Sequence, residues 1–70
     1  MKYRELDIVV LRRDIPEHRL KAGDHGTIVF VYEPDGVEVE FVLPSGETRA
    51  VLTLNISDVA AHPSGAEARD

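Results

Sequence analysis

Residues 20–42, LKAGDHGTIVFVYEPDGVEVEFV, decide the fold, because they contain a glycine-bounded loop followed by two strands and the turn between them. The run HGTIVFVY (25–32) is mostly apolar and rich in β-branched residues, which favours a strand. EPDG then predicts a turn, in which Pro34 sets its own φ and Gly36 accepts a positive φ. The segment therefore predicts a β-hairpin entered from a loop.

The second strand of this hairpin has a clear inner and outer side. In VEVEF, the apolar residues Val37, Val39 and Phe41 alternate with Glu38 and Glu40. Successive side chains of a strand point to opposite faces, so the apolar set faces the core and the glutamates face solvent. We expect the two glutamates to keep that face solvated and to discourage unwanted strand pairing.

The first strand of the hairpin is apolar on both sides. Strict alternation places Ile28, Phe30 and Tyr32 on one face and Val29 and Val31 on the other. Such a strand is central, or it bends so that its halves serve different sheets. We expect Phe30, like Phe41, to lie in the core.

The rest of the chain adds three strands and one short turn. IVVL (8–11) predicts a first strand, DIPEHRLKAGD (14–24) a long loop anchored by Leu20, and TRAVLTL (48–54) a fourth strand of irregular alternation. NISDV predicts a single tight helical turn capped by Asn55 or Ser57, before a last strand at 59–61. Residues 1–61 are expected to form one domain, and residues 62–70 a disordered tail.

These elements predict an all-β fold of the SH3-like class. Five short strands, a long first loop, two tight hairpins and a single 3-10 turn before the last strand describe a small five-stranded barrel. Four glycines are interpreted as structural turn positions: Gly23, Gly26, Gly36 and Gly46.

Nearly the whole folded part resembles a known bacterial family. The signals are the opening DIVVL, then LKAGDHGTIV, VEF and LTL, spread over residues 3–61. In combination they resemble the family named domain of unknown function 4926. The resemblance implies an SH3-like or KOW-like small barrel and carries no catalytic residue onto this sequence.

Composition limits the possible functions. The 70 residues include no cysteine, which excludes disulfides, thiolate chemistry and cysteine-based zinc sites and favours a reducing compartment, the cytoplasm. The N-terminal segment is too short and too charged for a signal peptide or a spanning helix, so no membrane association is expected. Residues 26–48 hold five acidic residues and no Lys or Arg, which disfavours nucleic acid as a partner.

No pattern in the sequence indicates catalysis, a cofactor or a metal. GDHG (23–26) lacks the lysine and the following helix of a phosphate loop, and Asp24 would repel an anion. His18, His25 and His62 are spread over a loop, a strand start and the tail, so we expect no metal site. The serines do not lie in a strand-to-helix elbow. The sequence therefore predicts that the protein is not an enzyme.

The first loop contains the one basic group, and it is our candidate binding site. Its members are Arg12, Arg13, Arg19 and Lys21, interspersed with three acidic residues that also fit an ordinary solvated loop. We expect a module that binds another protein through this loop and a free strand edge, an edge that could also join copies of the chain.

Two alternatives to this function stay open. One is a KOW-like module associated with nucleic acid or the ribosome. The other is an acidic, antitoxin-like subunit that neutralises a basic partner through Glu33, Asp35, Glu38 and Glu40.

Overall fold

Five strands form one antiparallel sheet in the computed structural model, which describes residues 3–62. The strands are β1 (Ile8–Leu11), β2 (His25–Tyr32), β3 (Gly36–Val42), β4 (Thr48–Asn55) and β5 (Val59–Ala61). Two 3-10 helices, η1 (Pro16–His18) and η2 (Ile56–Asp58), precede β2 and β5, and the described part contains no α-helix. The all-β class and all five expected strands are confirmed.

The sheet is open. Its strand order is β4-β3-β2-β1-β5, so β4 and β5 are the two edges, and no ladder joins them within residues 3–62. β5 has three residues, all paired with β1, and η2 separates it from the end of β4. The closed barrel expected from the sequence is therefore not confirmed, whereas the five-stranded antiparallel sheet is.

The long first loop is more ordered than its sequence indicated. Ile15 and Leu20 exchange two backbone hydrogen bonds, at 2.8 and 3.1 Å, and both side chains are buried in the core. η1 lies between them, with Pro16 in its first turn. Proline is tolerated there because an N–H in the first turn makes no hydrogen bond within the helix. Arg19 ends η1 in the left-handed conformation, with φ of 58°. The expectation that Leu20 anchors the loop is confirmed.

A β-bulge in β2 reverses the expected inside and outside of this strand. Ile28 pairs with Val39, but the next paired residue is Phe30, opposite Glu38, so Val29 is an extra residue. One extra residue moves every later side chain to the other face. Phe30 is 48% exposed, and the prediction that it lies in the core is wrong.

The inner face of β3 is buried as the alternation predicts. Val37 and Val39 are fully buried and Phe41 is 1% exposed. Across from them, β2 comes so close at Gly26 that a Cβ there would lie 2.5 Å from Val39 Cγ1 and 2.8 Å from Phe41 Cε1. The φ of Gly26 is not positive, so backbone conformation does not demand glycine here. Glycine is required because the core side chains leave no room for a Cβ.

The other turn glycines divide into two kinds. Gly23 and Gly46 have φ of 96° and 95°, which L residues rarely adopt. Gly36 does not have a positive φ, so that expectation is wrong. Gly36 is the first residue of β3, opposite Tyr32, and the preceding Glu33–Pro34 peptide bond is cis.

The turn before β5 is capped as expected. The Asn55 side chain accepts a hydrogen bond from the Ser57 N–H at 2.9 Å, and the Asp58 carboxylate accepts the Asn55 N–H at 3.1 Å. These two contacts form a capping box. Asn55, rather than Ser57, is therefore the capping residue.

Replacing Gly26 by Ala should destabilise the protein by about 1–3 kcal/mol, because the new methyl group would overlap Val39 and Phe41. Gly36→Ala is the milder comparison and should cost less, since the nearest atom to its Cβ is the Tyr32 Cβ at 3.3 Å and the overlap is much smaller than at Gly26. Urea unfolding of both variants measures the difference. Equal unfolding midpoints for the two variants would show that β2 does not approach the core as closely as described.

Candidate functional site

The four basic residues of the first loop do not form one cluster. Arg13 Nε lies 3.0 Å from Asp58 Oδ1, and this ion pair fastens the start of the loop to η2. Arg12 is exposed, and its N–H donates to the Asp58 carbonyl oxygen at 2.8 Å. Arg19 and Lys21 are exposed beyond η1. The basic residues of the loop therefore line separate grooves, one at Arg12, one at Arg13 and one shared by Arg19 and Lys21.

The polar groups of Gly23 and Asp24 in the GDHG loop are used in hydrogen bonds within the fold. The Gly23 N–H donates to Leu11, the Asp24 N–H donates to Lys21, and the Asp24 carbonyl oxygen accepts from Leu11. The Asp24 carboxylate accepts the Lys21 N–H at 2.9 Å. A phosphate loop needs free N–H groups that converge on the anion. This geometry supports the structural interpretation of GDHG.

Two of the three histidines meet, which the sequence did not predict. The rings of His25 and His62 lie 4.3 Å apart between centroids, at an angle of 74°. The His62 N–H also donates to the Ile8 carbonyl oxygen at 3.0 Å, so His62 extends the pairing of the β5 end with β1. Within residues 3–62, no group of three or more His, Cys, Asp or Glu residues could hold a metal ion. The remainder of the expected tail, residues 63–70, lies outside the described residues.

The outer side of β2 and β3 carries an aromatic cluster that strict alternation of the sequence did not predict. Phe30 and Tyr32 follow the bulge, and their rings contact at 4.8 Å between centroids. The Tyr32 hydroxyl donates a hydrogen bond to the Glu38 carboxylate. Both rings remain partly in solvent, at 48% and 41% exposure. We call Phe30, Tyr32 and Glu38 the aromatic face.

The electrostatics of the aromatic face favour the neutral phenol. The hydrogen bond to Glu38 raises the pKa of Tyr32 above its ordinary value, with further contributions from desolvation and from the negative charge of Glu38. The neighbouring Glu40 is held differently, because its carboxylate accepts from the Thr48 hydroxyl at 2.7 Å. The two glutamates of β3 are therefore both partnered, one by a tyrosine and one by a threonine.

A surface groove beside the first loop contains a basic residue that sequence reasoning missed. The groove measures about 390 Å³ and is lined by both Arg19 and Arg49. Arg49 is the extra residue of a bulge in β4, since Phe41 pairs with Ala50 and Val42 pairs with Thr48. Bulges re-aim side chains in this way. The only available signal was the irregular alternation of TRAVLTL.

The comparisons with known proteins identify a family. The family model described as "Domain of unknown function (DUF4926)" matches residues 5–61. The chain belongs to this family. No curated protein and no solved structure gave a significant match.

The DUF4926 match spans every element that builds the two candidate surfaces. It includes β1 to β5, the first loop with Arg19, the bulge in β2 and the bulge in β4. Among the described residues of this DUF4926 chain, none belongs to a helix with the length and apolar character needed to cross a bilayer.

Removing the Glu38 carboxylate should lower the pKa of Tyr32 towards its ordinary value. Because the pKa of Tyr32 is raised in the folded state, the protonated phenol stabilises the fold at pH values below the ordinary tyrosine pKa. This stabilisation is lost as the pH rises through the raised folded-state pKa. We expect Glu38→Ala to lower the midpoint of phenolate absorbance, measured with Tyr3→Phe as background so that Tyr32 alone titrates. Glu40→Ala is the control and should leave the midpoint unchanged. If Glu38→Ala leaves it unchanged as well, the hydrogen bond is absent.

Proposed function

We propose that this DUF4926 chain is a small non-catalytic module that binds another protein through the aromatic face. The observation that carries the proposal is the exposed contact between Phe30 and Tyr32 on a central strand. The bulge in β2 leaves these two large aromatic side chains exposed, although side chains of this type are usually buried. Such anchors contribute most of the binding free energy in many protein interfaces.

An SH3-like architecture is the finer fold that we propose. It is supported by the long connection between β1 and β2, the short turns on either side of β3, and the 3-10 helix that leads into β5. Small barrels of this type present loops and strand edges to their partners. The open edges β4 and β5 fit that behaviour, because an unpaired edge can accept another strand.

The rigidity of the aromatic face supports recognition. Phe30 and Tyr32 lie on a strand that pairs with β1 or β3 along its length, so their backbone is ordered before a partner arrives. The bond from Tyr32 to Glu38 restricts one of the two rings further. A preorganised aromatic surface loses little conformational entropy on binding.

The charge around the aromatic face favours a basic partner. Glu38 belongs to the face itself, and Glu33 and Asp35 occupy the turn that joins its two strands. The faces of aromatic rings attract cations, and an adjacent carboxylate adds a charged hydrogen-bond acceptor. We therefore propose a protein partner that presents Lys or Arg side chains, in agreement with the acidic-subunit alternative.

Two rival recognition elements are less well supported. Part of the first loop is fixed, because Arg13 pairs with Asp58 and because Ile15 and Leu20 are buried. A nucleic-acid module would require a continuous basic surface, but the basic residues of this loop line separate grooves.

The test is a pull-down from nuclease-treated native lysate, followed by mass spectrometry. The double variant Phe30→Ser with Tyr32→Ser should lose the proteins that the parent captures, because both aromatic anchors are removed. Val42→Ser is the matched control, since Val42 is 54% exposed on β3 and lies outside the aromatic face. It should retain every partner.

Three outcomes would contradict the proposal. If the double variant captures the same proteins as the parent, the aromatic face is not the recognition element. If charge reversal at Arg12, Arg13 and Arg19 alone removes them, the first loop takes its place. Capture that occurs only without nuclease would favour the nucleic-acid-associated alternative.

A further inference from the structure

The groove between the first loop and the β3–β4 turn is separate from the aromatic face. Leu20 and Gly23 line it from the loop, and Leu43, Pro44 and Arg49 line it from the turn and β4. Its volume of about 390 Å³ lies within the range of small-molecule sites, about 300–1,000 Å³. Neither Phe30 nor Tyr32 contributes to its lining.

Two local irregularities bring guanidinium groups to this groove. Arg19 has a left-handed backbone, which is uncommon for a residue other than glycine or asparagine. Arg49 is the extra residue of the β4 bulge. Irregular backbone is enriched at ligand sites, where it re-aims a side chain. Here two independent irregularities converge on one groove.

Both guanidinium groups are unpaired. Among residues 3–62, neither Arg19 nor Arg49 takes part in a side-chain hydrogen bond or an ion pair, although the chain has 13 acidic residues against 8 Lys and Arg. Among the described residues, the only acidic one that lines the groove is Asp24, so two guanidinium groups stand against one carboxylate and the charge of the groove is net positive. The positive charge in the groove is therefore available to a ligand.

We propose that this groove binds a small oxyanion, a carboxylate or a phosphate, carried by a compact apolar ligand. Arg19 and Arg49 hold the anionic group, because planar guanidinium groups match carboxylate and phosphate oxygens through paired N–H donors. Leu43 and Pro44 line the same groove and contact the apolar part. The N–H groups of Gly23 and Asp24 have no role, since both are already used within the fold.

Titration with phenyl phosphate and with benzoate, followed by NMR at physiological ionic strength, tests the site. Each probe combines one oxyanion with an apolar ring, and inorganic phosphate shows what the anion contributes alone. We expect saturable shifts confined to groove residues for at least one of the two ring probes. Saturation by phenyl phosphate only, or by benzoate only, identifies the preferred oxyanion.

Matched variants locate the binding. Arg49→Gln and Arg19→Asn should each weaken the saturating probe at least tenfold, and asparagine tolerates the left-handed backbone, so the second variant should remain folded. Arg12→Gln removes an exposed charge outside the groove and should change nothing. The double variant of Phe30 and Tyr32 should also bind normally, which separates this site from the proposed function. Absence of saturation with both ring probes, or equal weakening by Arg12→Gln, would overturn the proposal.

Discussion

The bulge at Val29 is the constraint on which the surface of this protein depends. Before it, Gly26 and Ile28 face the core, and Gly26 lets β2 lie directly against Val39 and Phe41. After it, the alternation is reversed, so that Phe30 becomes exposed on the outer side. Without the extra residue, the same sequence would direct its aromatic side chains into a core that β3 already fills. The extra residue Val29 thus keeps Ile28 in the core and exposes Phe30 on the aromatic face.

Irregular backbone also explains the second surface. The bulge in β4 and the left-handed residue at the end of η1 bring Arg49 and Arg19 to one groove. In a regular strand, alternation fixes which side chains share a face, and the bulge changes this for Arg49. The two proposed sites differ in charge as well: the aromatic face is acidic and suits a cationic partner, whereas the groove presents unpaired guanidinium groups. A net charge of -5 describes neither surface.

The sequence predicted the elements well and the irregularities poorly. VEVEF has one unambiguous pattern, so the burial of Val37 and Val39 followed directly, and the cap at Asn55 followed from side-chain chemistry. TIVFVY is apolar on both faces, so nothing in it distinguishes Phe30 inside from Phe30 outside. The pairing of distant segments, such as His25 with His62, depends on tertiary structure that local patterns do not contain.

The most direct test compares the only two phenylalanines of the chain. The account predicts that Phe41→Ala, in the core, costs about 3–5 kcal/mol of unfolding free energy. Phe30→Ala should cost about 1 kcal/mol, chiefly through its lost contact with Tyr32. Urea unfolding monitored by circular dichroism measures both. A much larger loss for Phe41→Ala supports the bulge and the exposed aromatic face. Equal losses would place Phe30 in the core and contradict the account.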